Sequence, residues 1–107
     1  MSQILFNKKD YVVLEALIER TCNSPVASLT IKQLMRITRM SLSKIRSVKN
    51  DFLLMNFILE GSKDGNNKTF YYTDEGLNHF KKVFNFSDDR IKQMQLNFEE
   101  EYERGDQ

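Results

Sequence analysis

Leu29-Thr30-Ile31-Lys32-Gln33-Leu34, followed after five intervening residues by Met40-Ser41-Leu42-Ser43-Lys44-Ile45, is the stretch that decides the fold of this chain. Thr30 and Gln33 have the spacing of a capping box: the Thr30 hydroxyl accepts from the Gln33 amide, and the Gln33 side chain returns to the Thr30 amide. Leu29 and Leu34 bracket that cap as a hydrophobic staple. Loss of such a cap costs about 1 kcal/mol. Ser41 repeats the pattern, with Met40 and Ile45 as its staple. The spacing predicts a short helix ending near Thr38, a three-residue turn, and a second helix behind Ser41. That second helix has an expected core face of Leu42, Ile45, Val48, Phe52 and Met55. Ser43, Ser47 and Asn50 line its opposite face, flanked by Lys44 and Arg46. Asn56 is expected to end it in the left-handed region, where asparagine is the next choice after glycine.

Working outward, residues 8–22 read as an earlier helix with Tyr11, Leu14, Leu17, Ile18 and Cys22 on one face. Asn23-Ser24-Pro25 stops it, because proline lacks an amide hydrogen and restrains the residue before it. On the other side, Phe57 to Gly61 and Thr69 to Tyr72 read as strands around the turn-rich Lys63-Asp64-Gly65-Asn66-Asn67-Lys68, which makes a hairpin. Thr73 caps a further helix, with Asp74 and Glu75 in its first turn where the dipole favours anions. Its apolar side is Leu77, Phe80, Val83 and Phe84. Ser87, Asp88 and Asp89 open a last helix whose stripe is Ile91, Met94, Phe98 and Tyr102. It closes in the acidic run Glu99, Glu100, Glu101 and Glu103. The expected class is mainly α with a small β-hairpin.

The order helix, short helix, turn, helix, hairpin, helix resembles a winged helix-turn-helix domain of the small bacterial type, over residues 8–84. The two capped starts look like its helix-turn-helix pair. Phe52 to Ile58, with Thr69-Phe70-Tyr71-Tyr72-Thr73-Asp74-Glu75-Gly76, looks like the exit of its third helix, its wing and its return helix. Such domains usually end the third helix in glycine, where Asn56 stands here. The expected organisation is residues 1–86 as the winged domain with an N-terminal arm, 87–103 as an additional amphipathic helix on the domain or at a dimer interface, and 104–107 as a polar tail. The Asn-, Lys- and Ile-rich usage looks like an AT-rich bacterial genome. The small build is similar to winged-helix proteins of mobile elements, including relaxosome accessory proteins of clostridial conjugative plasmids.

Charge points the same way. Lys32 to Lys49 holds six basic side chains and no acidic one. Residues 1–72 carry eleven Lys/Arg against six Asp/Glu, net +5, and residues 73–107 carry five against nine, net −4. An unmixed basic patch on two adjacent helices suits phosphate neutralisation and counterion release. Solvated helix faces usually interleave acids instead. In the docking that the resemblance implies, Ser41, Ser43, Lys44 and Ser47 face bases in the major groove. Lys32, Gln33, Arg36, Arg39 and Arg46 lie nearer phosphates, adding affinity rather than sequence information. Lys63, Asn66, Asn67 and Lys68 at the hairpin tip are the candidate minor-groove readers. The expected function is sequence-specific double-stranded DNA binding, as a plasmid or phage DNA-processing accessory in conjugation or replication, or as a small transcription regulator.

Leu54 falls about 180° from Ile45 on a helical wheel, so one core cannot bury both. Either the helix ends early, or Leu54 packs on the last helix or on another subunit. Paired half-sites favour a homodimer; its candidate interface is Ile4, Leu5, Phe6, Leu54, Ile91, Met94 and Phe98. Other DNA-processing proteins are further candidate partners. The alternative reading is a winged-helix interaction module that docks into a larger complex through Leu53, Leu54 and the last helix. An enzyme is not expected: the chain shows no glycine-rich phosphate loop and no nucleophile with a plausible histidine partner. The lone Cys22 and lone His79 offer no metal set, so neither metal nor cofactor is expected. No apolar run approaches the roughly 20 residues of a membrane span, and the N-terminus lacks signal-peptide features. A cytoplasmic setting follows.

Overall fold

The computed structural model describes residues 6–105. The order is α1 (Tyr11–Glu19), β1 (Leu29–Thr30), α2 (Ile31–Thr38), α3 (Leu42–Leu54), β2 (Ile58–Glu60), β3 (Thr69–Tyr72), α4 (Asp74–Phe84) and α5 (Asp88–Gly105). This is a mainly helical winged helix-turn-helix with a small antiparallel sheet and one added C-terminal helix, as the caps and spacing predict.

The caps account for the boundaries. Thr30 Oγ1 accepts from the Gln33 amide and Gln33 Oε1 accepts from the Thr30 amide, at 3.2 and 2.8 Å. Ser41 Oγ accepts from the Lys44 amide and Thr73 Oγ1 from the Gly76 amide. Asn56 takes φ 60°, directly after the Met55 cap of α3. The first helix is shorter than expected. It stops at Glu19 because Thr21 turns into the left-handed region, four residues ahead of Pro25.

α1 is the central post. Tyr11, Val13, Leu14, Ala16, Leu17 and Ile18 are all buried, since α2, α4, α5 and β3 all pack around it. Ile45, Val48 and Phe52 of α3, Phe70 and Tyr72 of β3, and Phe80 of α4 complete the core. Three expected core residues lie outside it: Leu42, Met55 and Val83 are 38%, 39% and 44% exposed. α3 and α4 touch the rest of the protein along narrower stripes than their apolar spacing suggests.

The sheet runs β1-β3-β2. β2 pairs with β3 through Ile58↔Tyr72 and Glu60↔Phe70. The unanticipated strand β1 adds Leu29↔Phe70 and Thr30↔Thr69 on the other side of β3. The residues just ahead of α2 are therefore hydrogen-bonded to the wing. At the wing tip, Asp64 and Asn67 exchange backbone hydrogen bonds across Gly65-Asn66. Gly65, at φ 63°, supplies the positive dihedral that the first position of this loop adopts.

α5 closes over α1. Ile91 is buried in the protomer's own core, Gln95 Nε2 donates to Ile18 O and Tyr72 Oη, and the Arg20 guanidinium lies 4.4 Å above the Phe98 ring. Lys81 pairs with Asp88 across the α4–α5 turn and holds its carboxyl below the usual carboxylate range.

His79 is a packing residue. Its Nε2 lies 2.8 Å from Tyr11 Oη, and its ring stacks on Phe57 at 4.2 Å. Burial, and secondarily the Lys82 charge, hold the imidazole below its ordinary value of 6.5, since both disfavour the charged form. In that window the unfolded chain binds a proton that the folded chain does not, so stability rises with pH. We expect this contribution to be intact above the ordinary value and lost as pH falls through the depressed one. Urea midpoints at about pH 7.5 and about pH 5 check it. The wild type should lose more on acidification than His79→Gln, and equal losses would remove His79 as the cause.

Candidate nucleic-acid interface

α2 and α3 lie against each other, and the β2–β3 hairpin rises beside them. Between helices and wing runs a cleft of about 540 Å³. Lys32 and Met35 come to it from α2, Leu42, Arg46 and Lys49 from α3, and Asn66, Asn67 and Lys68 from the wing tip, with Phe70 at its floor. Leu42, Arg46 and Lys49 are spaced by four and three, one stripe of a helix, and this stripe faces the wing. Lys49 Nζ sits 5.6 Å from the Phe70 ring centroid, within cation–π range. The cleft is thus cationic at its rims and apolar at its base. An acidic group stands beside this surface: Glu60 Oε1 lies 3.6 Å from Lys68 Nζ. Both are exposed, so water screens the pair and leaves Lys68 free to exchange partners.

The remaining expected contact residues are placed as follows. Gln33, Arg36 and Arg39 are exposed on α2 and its turn, Ser41, Ser43 and Ser47 are exposed at or along α3, and Lys63 is exposed on the wing. Arg39 holds φ 61°, a conformation that glycine or asparagine takes at lower cost. The turn between α2 and α3 therefore presents a cation at a strained position. Two of the expected contact residues, one facing bases and one nearer phosphates, are partly occupied. Ser41 Oγ already accepts from Lys44 N, and Gln33 Oε1 from Thr30 N, so each oxygen has one lone pair engaged while its donor groups stay available. Lys44 departs furthest from expectation. It is half-buried on the α1 side of α3 and pairs with Asp10 at 3.0 Å, away from the outer face of Ser43 and Ser47.

Lys49 and the apolar Ile31, Met35, Leu42 and Phe70 belong to the cleft although sequence reasoning did not assign them to it. Lys49 was legible as the third member of the Leu42–Arg46 stripe. The apolar floor was not, because it depends on where the hairpin folds back.

Of the expected dimer residues, Ile4 and Leu5 lie outside the described residues. Phe6 packs on Phe52 at 4.9 Å between centroids. Ile91 is only 4% exposed, so its side chain is spent in the protomer's own core. Met94 and Phe98 are partly covered. Leu54 is 73% exposed: α3 does not end before it, and α5 does not cover it. Among the described residues no cluster of His, Cys, Asp and Glu is placed to hold a metal, and no helix is long and apolar enough to cross a membrane. Cys22 is buried, and burial pushes its thiol up, away from the nucleophilic thiolate.

No family model matches the chain. It is 35% identical over 77 residues to the DNA-binding protein TubR of Clostridium botulinum C phage, a match covering 72% of this chain and 95% of that protein. The solution structure of the DNA-binding TubR fragment from Clostridium botulinum superposes with a TM-score of 0.60 at 34% identity, over 75% of this chain and 99% of the fragment. With nearly the whole of a relative matched in sequence, and nearly the whole of a solved fragment matched in fold, this chain belongs to the TubR family.

Proposed function

We propose that the chain binds double-stranded DNA sequence-specifically, without catalysing a reaction, by placing α3 in the major groove and the wing on the adjoining strand and minor groove. The observation that carries this reading is the cleft, which draws cations from both helices and the hairpin tip into one continuous surface. The outer face of α3 supports it with short donors, Ser43, Ser47 and Asn50, all exposed. The DNA-binding name of its TubR relative supports it independently. That relative comes from a phage, which favours a DNA-processing accessory of a mobile element, in replication or conjugation, over a chromosomal transcription regulator. A homodimer is part of the proposal, with Leu54 as its described apolar contact. Sedimentation at micromolar concentration showing only a 12.7 kDa species would reject that part.

The exposure of Leu54 also supports the alternative, docking into a protein complex. Salt separates the two. A DNA binder making about six phosphate contacts loses roughly 10³-fold in affinity between 50 and 200 mM salt, whereas an apolar docking surface barely responds. Mobility-shift selection from random duplexes tests the reading directly. Asn66→Ala with Lys68→Ala probes the wing, and Ser43→Ala with Ser47→Ala probes the helix. A lost base contact is expected to cost about 1–3 kcal/mol and to relax preference at one position, while a lost phosphate contact weakens all sequences alike. No uptake of any duplex at low ionic strength overturns the proposal.

A further inference from the structure

The turn that opens α1 carries a carboxylate shut away from water. Asp10 is only 6% exposed. Its Oδ2 accepts from the Asn7 amide at 3.1 Å, and its Oδ1 has no aligned hydrogen-bond donor. What Oδ1 does face is the ammonium of Lys44, 3.0 Å away in the first turn of α3. A buried carboxylate with one oxygen lacking a donor depends on a neighbouring positive charge, and removing that charge strands it. Lys44 has the opposite character. Its side chain keeps 42% of its exposure, so its stem is free to swing toward the outer face of α3. A phosphate would attract it there only through solvent and salt. Stranding Asp10 outweighs that attraction.

We infer that Asp10 is a positioning residue of the recognition surface: it holds Lys44 on the α1 flank of α3 and keeps that cation out of the set touching phosphate. The inference rests on the DNA-binding reading. Phosphates occur at every step of every duplex, so an unrestrained lysine beside Ser43 and Ser47 adds affinity for any sequence and information about none. Holding it back lowers indiscriminate binding and leaves the short donors of α3 unobstructed. The same pair ties the start of the recognition helix to the central helix, across 34 positions of sequence.

The test uses four full-length proteins: wild type, Asp10→Asn, Lys44→Met and the double variant. Asparagine keeps an oxygen for the Asn7 amide and removes only the charge. Each protein is titrated with a duplex of arbitrary sequence at several salt concentrations, and each is melted without DNA. We expect Asp10→Asn to steepen the salt dependence by about 0.9 in the log–log slope, one further phosphate contact, and to tighten binding roughly 8-fold at 0.1 M salt. Lys44→Met in the wild-type background leaves the slope unchanged, and the double variant returns to it. In the melts the two single changes are non-additive, as expected of a contacting pair. The inference is overturned if Lys44→Met alone flattens the slope by one contact, because Lys44 then already touches phosphate. An unchanged slope in a cooperatively folded Asp10→Asn overturns it too. If none of the four binds any duplex, the DNA reading has failed and the positioning role falls with it. The melts then still show whether the pair itself exists.

Discussion

Arg46→Ala combined with Lys49→Ala is expected to weaken duplex binding roughly 60-fold at 0.1 M salt and to flatten the log–log salt slope by about 1.8, two phosphate contacts. Both side chains come from the one stripe of α3 that faces the wing. They line a cleft in which cations from a helix and from the hairpin tip come together. The loss should be uniform across sequences, because contacts to the backbone carry no base information. Neither residue is in the core: Arg46 is exposed and Lys49 half-buried, so the melting temperature should move little. A fluorescence-anisotropy salt series with the selected duplex and with an arbitrary one measures all of this. An unchanged slope would remove the cleft from the interface. A loss confined to one sequence would instead make Arg46 or Lys49 a base reader.

The largest effect on folding is expected at Gly76, in the first turn of α4. A methyl group there would meet Phe57 O at 2.2 Å and Phe57 C at 3.0 Å. That carbonyl cannot rotate aside, because it accepts from the Thr73 amide at 3.0 Å. Nor can the helix start slide, since the Gly76 amide is itself held by Thr73 Oγ1. The strain therefore falls on the junction between the end of α3, the start of β2 and α4. Gly76→Ala is expected to destabilise by about 3 kcal/mol or more, the upper end for overpacking, and to lower the melting temperature by roughly 10–15 °C for a domain of this size. Gly65→Ala is a useful contrast. Its methyl group meets nothing within 4 Å, so only the left-handed backbone is penalised, at about 1–2 kcal/mol. Comparable losses at the two positions would show that the Gly76 contact relaxes.

Much of the fold was legible because its boundaries are chemical. Thr30 with Gln33, Ser41, Asn56 and Thr73 are local devices within three or four residues of their partners, and each sits where its side chain predicts. What was not legible depends on distant chain. β1 is two residues long and carries no alternation of its own; it is a strand only because Phe70 and Thr69 come to lie beside it. Leu42 and Val83 continue an apolar periodicity, yet both stay partly exposed: Leu42 lies on the open cleft between α3 and the wing, and Val83 is not covered by the core. Lys44 looked like a reader from its place in a basic run. Its partner, Asp10, stands in the turn that opens α1 and is invisible to any local pattern. Ile91 was a candidate for pairing between copies, and the proximity of α1 and α5 inside one copy consumes it.

The short strand β1 has one more implication. It fastens the entry of the helical pair to β3, the returning strand of the hairpin and the middle strand of the sheet, so finger and helices form one callipers with a set jaw width. On the proposed DNA-binding reading, such a tool would measure distance as well as composition along a duplex. Adding one base pair between the step held by the finger and the step held by the helix would leave one of the two jaws empty.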